Sequence, residues 1–307
     1  MQISATLPIA QQATREARLQ VPPRQLAATV ERLSKAARAI RQTAIAAIYH
    51  ATSGHPGGAL SSADLFACIY GAALRKGDDL TRDRFVLSKG HGAPALYATG
   101  AEFGLCSVKD ALSLRKLGSK FQGHPHVLDL PWVETSTGSL GQGFSVAIGM
   151  ALGLKMKKSG ARVYTMLGDG ELQEGEVWEG AMCAAHHKLD NLVAVIDYNK
   201  LQSDDTNANI MGLEPLGEKW RAFGWHVQEI DGHNIALILD ALGKAAVAGS
   251  KPHVIIAHTV KGRGVPYMEN VPTWHGSVKM TPEQTEDALR ALGVAETDLK
   301  KWIEGNV

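Results

Sequence analysis

Cysteine is scarce. Cys68, Cys106 and Cys183 are the only three in 307 residues. They are scattered and odd in number, so they make neither a disulfide framework nor a zinc-ligand spacing. Each reads first as a small apolar core residue, and such usage fits a reducing, cytoplasmic setting. No apolar run approaches the ~18 residues of a membrane-spanning helix. Neither sign of charge is in excess. A formal net charge of +1 gives no electrostatic reason to expect nucleic acid or a membrane surface as a partner. The first twenty residues lack the continuous apolar centre of a signal peptide, and residues 1–24 read as a loosely ordered extension ending near Pro22-Pro23. Internal repeats, low-complexity tracts and long linkers are also missing. Residues 25–307 are therefore expected to build one domain, and 45% hydrophobic content is enough for a full core.

The most informative stretch runs from Leu167 to Asp205. Val163–Leu167 reads as a buried parallel strand that stops at Gly168-Asp169-Gly170. A helical pattern follows from Glu174 to His187. A second apolar run, Leu192–Ile196, ends in Asp197-Tyr198-Asn199. In open α/β sheets, ligands bind at such strand ends. The Asp169 carboxylate and the Asn199 side-chain carbonyl are oxygen ligands that suit a hard cation such as Mg²⁺ or Ca²⁺. Glycines beside Asp169 allow close backbone approach, and the N–H groups opening the next helix favour an anion. Together they describe a site for a metal-bridged diphosphate. Gly-Asp-Gly alone reads equally as a strand-ending turn with a solvated Asp; an Asn closing the very next strand makes the functional reading stronger. Of the nearby acids, Glu171 and Glu176 read as residues favouring the helix dipole. His186-His187 reads as a helix-end pair.

Elsewhere the chain alternates strands and helices. A long amphipathic helix spans Gln25–Thr52 and stops at Ser53-Gly54-His55-Pro56-Gly57-Gly58. Ser61–Ala73 reads as a helix and Arg84–Leu87 as a short strand, followed by Ser88-Lys89-Gly90-His91-Gly92. Gly123-His124-Pro125 and the loop Glu134–Gly143, with Gly138-Ser139-Leu140-Gly141, precede a helix over Phe144–Met156. As a dinucleotide fingerprint the last loop is weak, because no convincing strand leads into it. Helices at Leu216–Phe223 and Ile235–Ala248 flank a strand at Trp225–Ile230, whose end, Asp231-Gly232-His233-Asn234, reads as a loop. A last strand covers Pro252–His258, and Thr273-Trp274-His275-Gly276 lies beyond it. Thr281, with Glu283 and Gln284 after it, opens one closing helix that reaches Trp302. The alternation predicts an α/β fold, a doubly wound parallel sheet with helices on both faces.

Gly168-Asp169-Gly170, twenty-eight intervening residues, then Asn199 resembles the thiamin diphosphate motif of transketolase-like enzymes. The Ser-Gly-His-Pro-Gly, Gly-His-Gly, Gly-His-Pro and Gly-Gln-Gly segments resemble that family's other motifs. The resemblance implies that Asp169, Asn199 and the backbone carbonyl of Leu201 hold the metal, expected as Mg²⁺, with Ca²⁺ or Mn²⁺ as substitutes. It implies a cofactor-binding set of His91, Gly138, Ser139, Leu140, Gly168, Asp169, Gly170, Glu174, Asn199 and His275. His55, His91 and His124 would be the catalytic histidines at the substrate. Glu174 and Glu179 would meet their counterparts at a subunit contact between two cofactor sites.

The resemblance runs from about Gln25 to Gly276 and matches only the first half of an ordinary transketolase. The family's second half supplies the Glu that activates the cofactor's aminopyrimidine ring. The expectation is therefore the N-terminal subunit of a split transketolase, inactive alone. It would work in a heterotetramer with a C-terminal, pyrimidine-binding transketolase subunit. The reaction expected is transfer of a two-carbon ketol unit from a ketose, expected to be phosphorylated, to an aldose. Three other readings stand beside it: the α subunit of a 2-oxo acid dehydrogenase, a deoxyxylulose phosphate synthase, and a non-catalytic thiamin diphosphate-binding regulatory protein.

Overall fold

Residues 23–247, 249–276 and 278–307 are described in a computed structural model of the chain. Five strands form one parallel sheet: β1 (Arg84–Leu87), β2 (Val163–Gly168), β3 (Leu192–Tyr198), β4 (His226–Asp231) and β5 (His253–His258). Their order is β1-β2-β3-β5-β4. Every residue of β1, β2 and β3 is buried, which is why these strands read as largely apolar runs, broken only by Arg84, Thr165 and Asp197, and not as alternating ones. At the edge, β4 is half-exposed and correspondingly more polar.

Alternate residues of each inner strand feed two separate cores, as a pleated strand requires. Tyr164, Met166, Val193, Val195, Ile255 and Ala257 pack on one face, against helices Pro23–Ala51, Ala93–Glu102, Ile235–Ala246 and Pro282–Ala291. Val163, Leu167, Leu192, Ala194, Ile196, Val254 and Ile256 pack on the other, against Gln142–Met156, Gly175–His186 and Leu216–Ala222. The α/β, doubly wound parallel fold expected from the alternation is thus borne out.

Four local expectations are corrected. Pro56-Gly57-Gly58 does not prolong a loop but opens a short buried helix, Pro56–Ser61, with Pro in its first turn, where its missing N–H costs nothing. The single helix expected over Ser61–Ala73 is helix Ala63–Cys68 followed by a wider turn, Ile69–Ala73. The closing helix is two, Pro282–Ala291 and Glu296–Glu304. The first ends where Gly293 turns left-handed (φ +84°), with Val294 N–H donating to the Leu289 carbonyl and Gly293 N–H to that of Arg290. Among the cysteines, Cys68 is buried, but Cys183 is exposed on helix Gly175–His186 and is no core residue. The extension read at residues 1–24 lies outside the described residues up to position 22, and Pro23 already begins the first helix.

Candidate functional site

The C-terminal ends of β2, β3 and β5 lie side by side, with Gly168 opposite Asp197 and Tyr198 opposite His258. Asp169 follows β2 directly and is 3% exposed. Its carboxylate accepts from Gly170 N–H at 2.9 Å and from Lys200 N–H. Burial, with repulsion from Asp197, raises the Asp169 pKa to about 6, against the pull of the Lys261 ammonium. Asn199 is buried beside it, its Oδ1 accepting from Leu201 N–H at 3.2 Å. The Leu201 carbonyl accepts from Lys261 Nζ at 2.6 Å. Lys261 arrives from the loop after β5 and is itself 1% exposed. Burial pulls its pKa down to about 8, while the Asp169 and Asp197 carboxylates hold it up.

Below this surface a second buried pair closes the sheet. Lys89 Nζ, from the loop after β1, donates to Asp197 Oδ2 at 2.5 Å. Ser61 Oγ donates to the same oxygen at 2.6 Å, and Thr259 Oγ1 donates to Oδ1. Burial opposes the Asp197 charge, but Lys89 and these hydroxyls overcome it and hold the pKa below the usual carboxylate range. Three separated segments are pinned to the end of β3 in this way. Asp197 stands in an otherwise apolar strand, and a charge at such a position demands a partner.

The nominated histidines converge. The ring centroids of His55 and His91 are 5.2 Å apart, those of His91 and His275 5.6 Å, and those of His55 and His275 6.0 Å. Burial and neighbouring cations depress all three: His55 to about 4, His275 to about 3, and His91 well below the ordinary imidazole value. They are neutral near pH 7, so each offers one donor and one acceptor nitrogen. His55 Nδ1 is buried and has no hydrogen-bond partner among the described residues. His275 Nδ1 lies 2.5 Å from Lys261 Nζ. His124 is exposed and sits against Gly138, where an added Cβ would come 3.2 Å from its ring. Partial desolvation first, then the Arg115 charge, lowers its pKa.

Glu171 differs from its reading as a helix-dipole residue. Only 2% exposed, it accepts from Ser88 Oγ at 2.5 Å, Gly141 N–H at 2.8 Å and Gly168 N–H at 3.0 Å. It ties together the end of β1, the end of β2 and the start of helix Gln142–Met156, whose cap, Gly141, has φ +86° and so favours glycine. Glu174 and Glu179 are exposed, one at the cap and one on the outer face of helix Gly175–His186.

A cleft of about 510 Å³, counting its open mouth, is lined by Gly168, Asp169, Gly170, Asn199, Leu201, Lys261, His91, His275 and Leu140 among others. Asp169, Asn199 and the Leu201 carbonyl present oxygen donors only, the set a hard divalent cation takes. Among the described residues no group of three or more His, Cys, Asp or Glu side chains could hold a metal. A cation here would therefore rely on this mixed set and on oxygens of its ligand. Lys261, Lys89 and Glu171 escaped the sequence reading. The signal for Lys261 was present, because a Lys just beyond a buried parallel strand stands close to where Asp169 stands on β2.

The family profile described as "Transketolase, thiamine diphosphate binding domain" matches residues 33–299. The chain belongs to the transketolase family. It is 40% identical over 280 residues to a subunit of the apulose-4-phosphate transketolase of Phocaeicola vulgatus, covering 90% of this chain and 99% of that one. It is 42% identical over 265 residues to the SqwG subunit of the 6-deoxy-6-sulfo-D-fructose transketolase of a Clostridium species, covering 85% and 96%. Human transketolase is 42% identical over 279 residues, but only 44% of its length is matched. Among solved structures, transketolase from Campylobacter jejuni superposes with a TM-score of 0.79 at 30% identity, covering 89% of this chain and 46% of that one. The chain thus spans about half the length of the solved transketolases it matches, and nearly all of the two subunit relatives.

Proposed function

We propose that this chain is the diphosphate-binding subunit of a two-chain transketolase, moving a two-carbon ketol unit from a ketose to an aldose. The observation that carries the reading is the convergence of Asp169, Asn199, the Leu201 carbonyl and Lys261 with His91 and His275 in one cleft. Oxygen donors stand beside cationic and neutral N–H donors, as a metal-bridged diphosphate requires.

In this reading Asp169, Asn199 and the Leu201 carbonyl hold Mg²⁺, with Ca²⁺ or Mn²⁺ as substitutes. Lys261, His91 and His275 face the phosphate oxygens, and Gly138, Ser139 and Leu140 line the remainder of the cofactor. Thiamin diphosphate, when bound, supplies the electron sink for breaking a carbon–carbon bond beside a carbonyl. His55, His91 and His124 orient the sugar. Desolvation and neighbouring cations lower the pKa of each, and a neutral imidazole can donate to a carbonyl oxygen and accept from a hydroxyl without a change of net charge. His55 Nδ1, buried and without a partner among the described residues, is the group best placed to take a substrate hydrogen bond.

The missing half of the family fold would come from a second, pyrimidine-binding chain. Exposed Glu174 and Glu179 would meet across the contact of a heterotetramer in the cytoplasm. The two subunit relatives, named for a phosphorylated and a sulfonated sugar, support an anionic ketose as donor. The reading is tested by co-purifying the chain with its partner in thiamin diphosphate and Mg²⁺, then assaying ketol transfer. Activity of the pair, absent from either chain alone, is expected. A fully active single chain, or an inactive pair across phosphorylated, sulfonated and unmodified ketoses, would overturn it.

A further inference from the structure

The loop that carries Lys261 into the cleft is held by a buried chain of groups from three distant segments. His233, in the loop after β4, lies against Asp64 of helix Ala63–Cys68, with Nδ1 2.8 Å from Asp64 Oδ2. Its other nitrogen, Nε2, accepts from Val260 N–H at 2.8 Å. A backbone N–H can only donate, so Nε2 must be bare and the imidazole proton must sit on Nδ1, facing the carboxylate. Asp64 is held from behind by Arg41 of the first helix, whose Nη1 and Nη2 donate to its two oxygens at 3.3 and 2.5 Å. Arg41 Nε donates in turn to the Leu60 carbonyl at 3.0 Å.

We propose that His233 is a positioning residue: the Arg41–Asp64–His233 chain fixes Val260, and so aims the neighbouring Lys261 ammonium at the diphosphate cleft. The inference rests on the proposed diphosphate site. Three observations support the direction of the effect. Val260 is adjacent in sequence to Lys261, so a shift of its N–H moves the Cα of the lysine. The loop is also anchored on either side, by Thr259 N–H on the Tyr198 carbonyl at 3.1 Å and Thr259 Oγ1 on Asp197 before it, and by Asn270 N–H on the Lys261 carbonyl at 2.9 Å and Gly262 N–H on the Gly57 carbonyl at 3.1 Å after it, so the Val260 N–H bond to His233 is the backbone anchor nearest the lysine on its N-terminal side. Lys261 is 1% exposed, and its ammonium must satisfy both the Leu201 carbonyl and His275, so a small displacement breaks one of them. The two glycines flanking this path have no room for a side chain. A Cβ on Gly232 would come 2.5 Å from Thr259 Cγ2, and one on Gly57 2.8 Å from Lys261 Cγ. The geometry is therefore tight on both sides of the lysine.

Two measurements test the proposal. Imidazole ¹⁵N spectra of the unsubstituted protein should show His233 protonated on Nδ1 and bare on Nε2 near pH 7. The opposite tautomer would overturn it. The second measurement is calorimetric binding of inorganic pyrophosphate with Mg²⁺, which needs neither partner chain nor turnover. His233→Leu should weaken binding by about tenfold, the scale of loss when a supporting hydrogen bond behind a ligand is cut. His233→Gln, whose amide can donate to Asp64 and accept from Val260, should restore most of it. Lys261→Ala should weaken binding as well, and adding His233→Leu to it should cost nothing further, because the two act in series. Additive losses, or a His233→Leu chain that binds as tightly as the parent, would overturn the positioning role alone. A parent chain that binds no Mg²⁺-pyrophosphate would overturn the diphosphate site itself, and the positioning role with it.

Discussion

The Glu171 carboxylate and the Gly141 N–H, thirty residues apart, meet at 2.8 Å inside the protein. That bond locks the loop holding Gly138, Ser139 and Leu140 to the strand end holding Asp169, because the same carboxylate also accepts from Gly168 N–H. Burial pushes the Glu171 pKa up, and the Ser88 hydroxyl and the two N–H groups pull it back. Glu171→Gln would place an amide N–H₂ against these donors and leave at least one of them unsatisfied. The expected cost is about 1–3 kcal/mol of stability, read by denaturant unfolding. A variant as stable as the parent would show that the bonds contribute little.

Much of this was legible in the chain because strands buried on both faces of a parallel sheet are apolar at nearly every position. The runs Val163–Leu167 and Leu192–Ile196 announced themselves, and so did the polar residues ending them. The lateral order was not legible. β5 inserts between β3 and β4, and nothing local in Pro252–His258 encodes that neighbour. The break at Gly293 was readable in principle, since a Gly followed by Val is a common helix end, but an amphipathic pattern continuing to Trp302 masked it. Glu171 was misread for a physical reason. An acid early in a helix stabilises the dipole whether exposed or buried, so only the fold shows that this one bridges three segments. His55, His91 and His275 come from segments far apart in the chain, and family motifs rather than spacing brought them together.

His55 and Gly276 are packed without a gap. A Cβ on Gly276 would fall well inside van der Waals contact with the His55 ring. Gly276→Ala should therefore push the His55 ring out of place and lower turnover of the assembled enzyme. His55→Ala should lower it by about 10²-fold, the lower end for loss of a proton-handling group. Both should leave Mg²⁺-pyrophosphate binding near the parent value. Unchanged turnover and donor affinity in His55→Ala would remove that residue from the reacting end of the cleft.

Far from the cleft, His253 opens β5 with its ring centroid 4.8 Å from that of His226. Burial first, then the charges of His226 and Arg162, pulls its pKa from 6.5 to about 4. Between those values the unfolded chain binds the proton and the folded chain does not. Stability from this group is therefore complete above about pH 6.5 and is lost as pH falls towards 4. His253→Phe should flatten that part of the stability profile. Unfolding free energies at about pH 5 and about pH 7.5, on either side of the unfolded-state value, should differ less in the variant than in the parent. An equal difference would place the titration elsewhere, for example in His55 and His275, which are depressed in the same direction.

Asp169→Asn removes the one carboxylate among the three oxygen donors while keeping its shape. The amide oxygen can still accept from Gly170 or Lys200 N–H, but the amide nitrogen then faces the other donor, so a modest loss of stability is expected. The decisive readout is ligand-linked stabilisation. A ligand at about a hundred times its dissociation constant adds about 2.7 kcal/mol to a fold that alone binds it. The parent should gain on that scale from Mg²⁺ with thiamin diphosphate, seen as a rise in Tm, and should lose the gain when the cation is chelated. The variant should show no cation-dependent gain, since Asn199 and one carbonyl leave a divalent ion without a charged ligand from the protein. A full Mg²⁺-dependent rise in Asp169→Asn would mean that the cation is held by the diphosphate alone, or at another place in the chain.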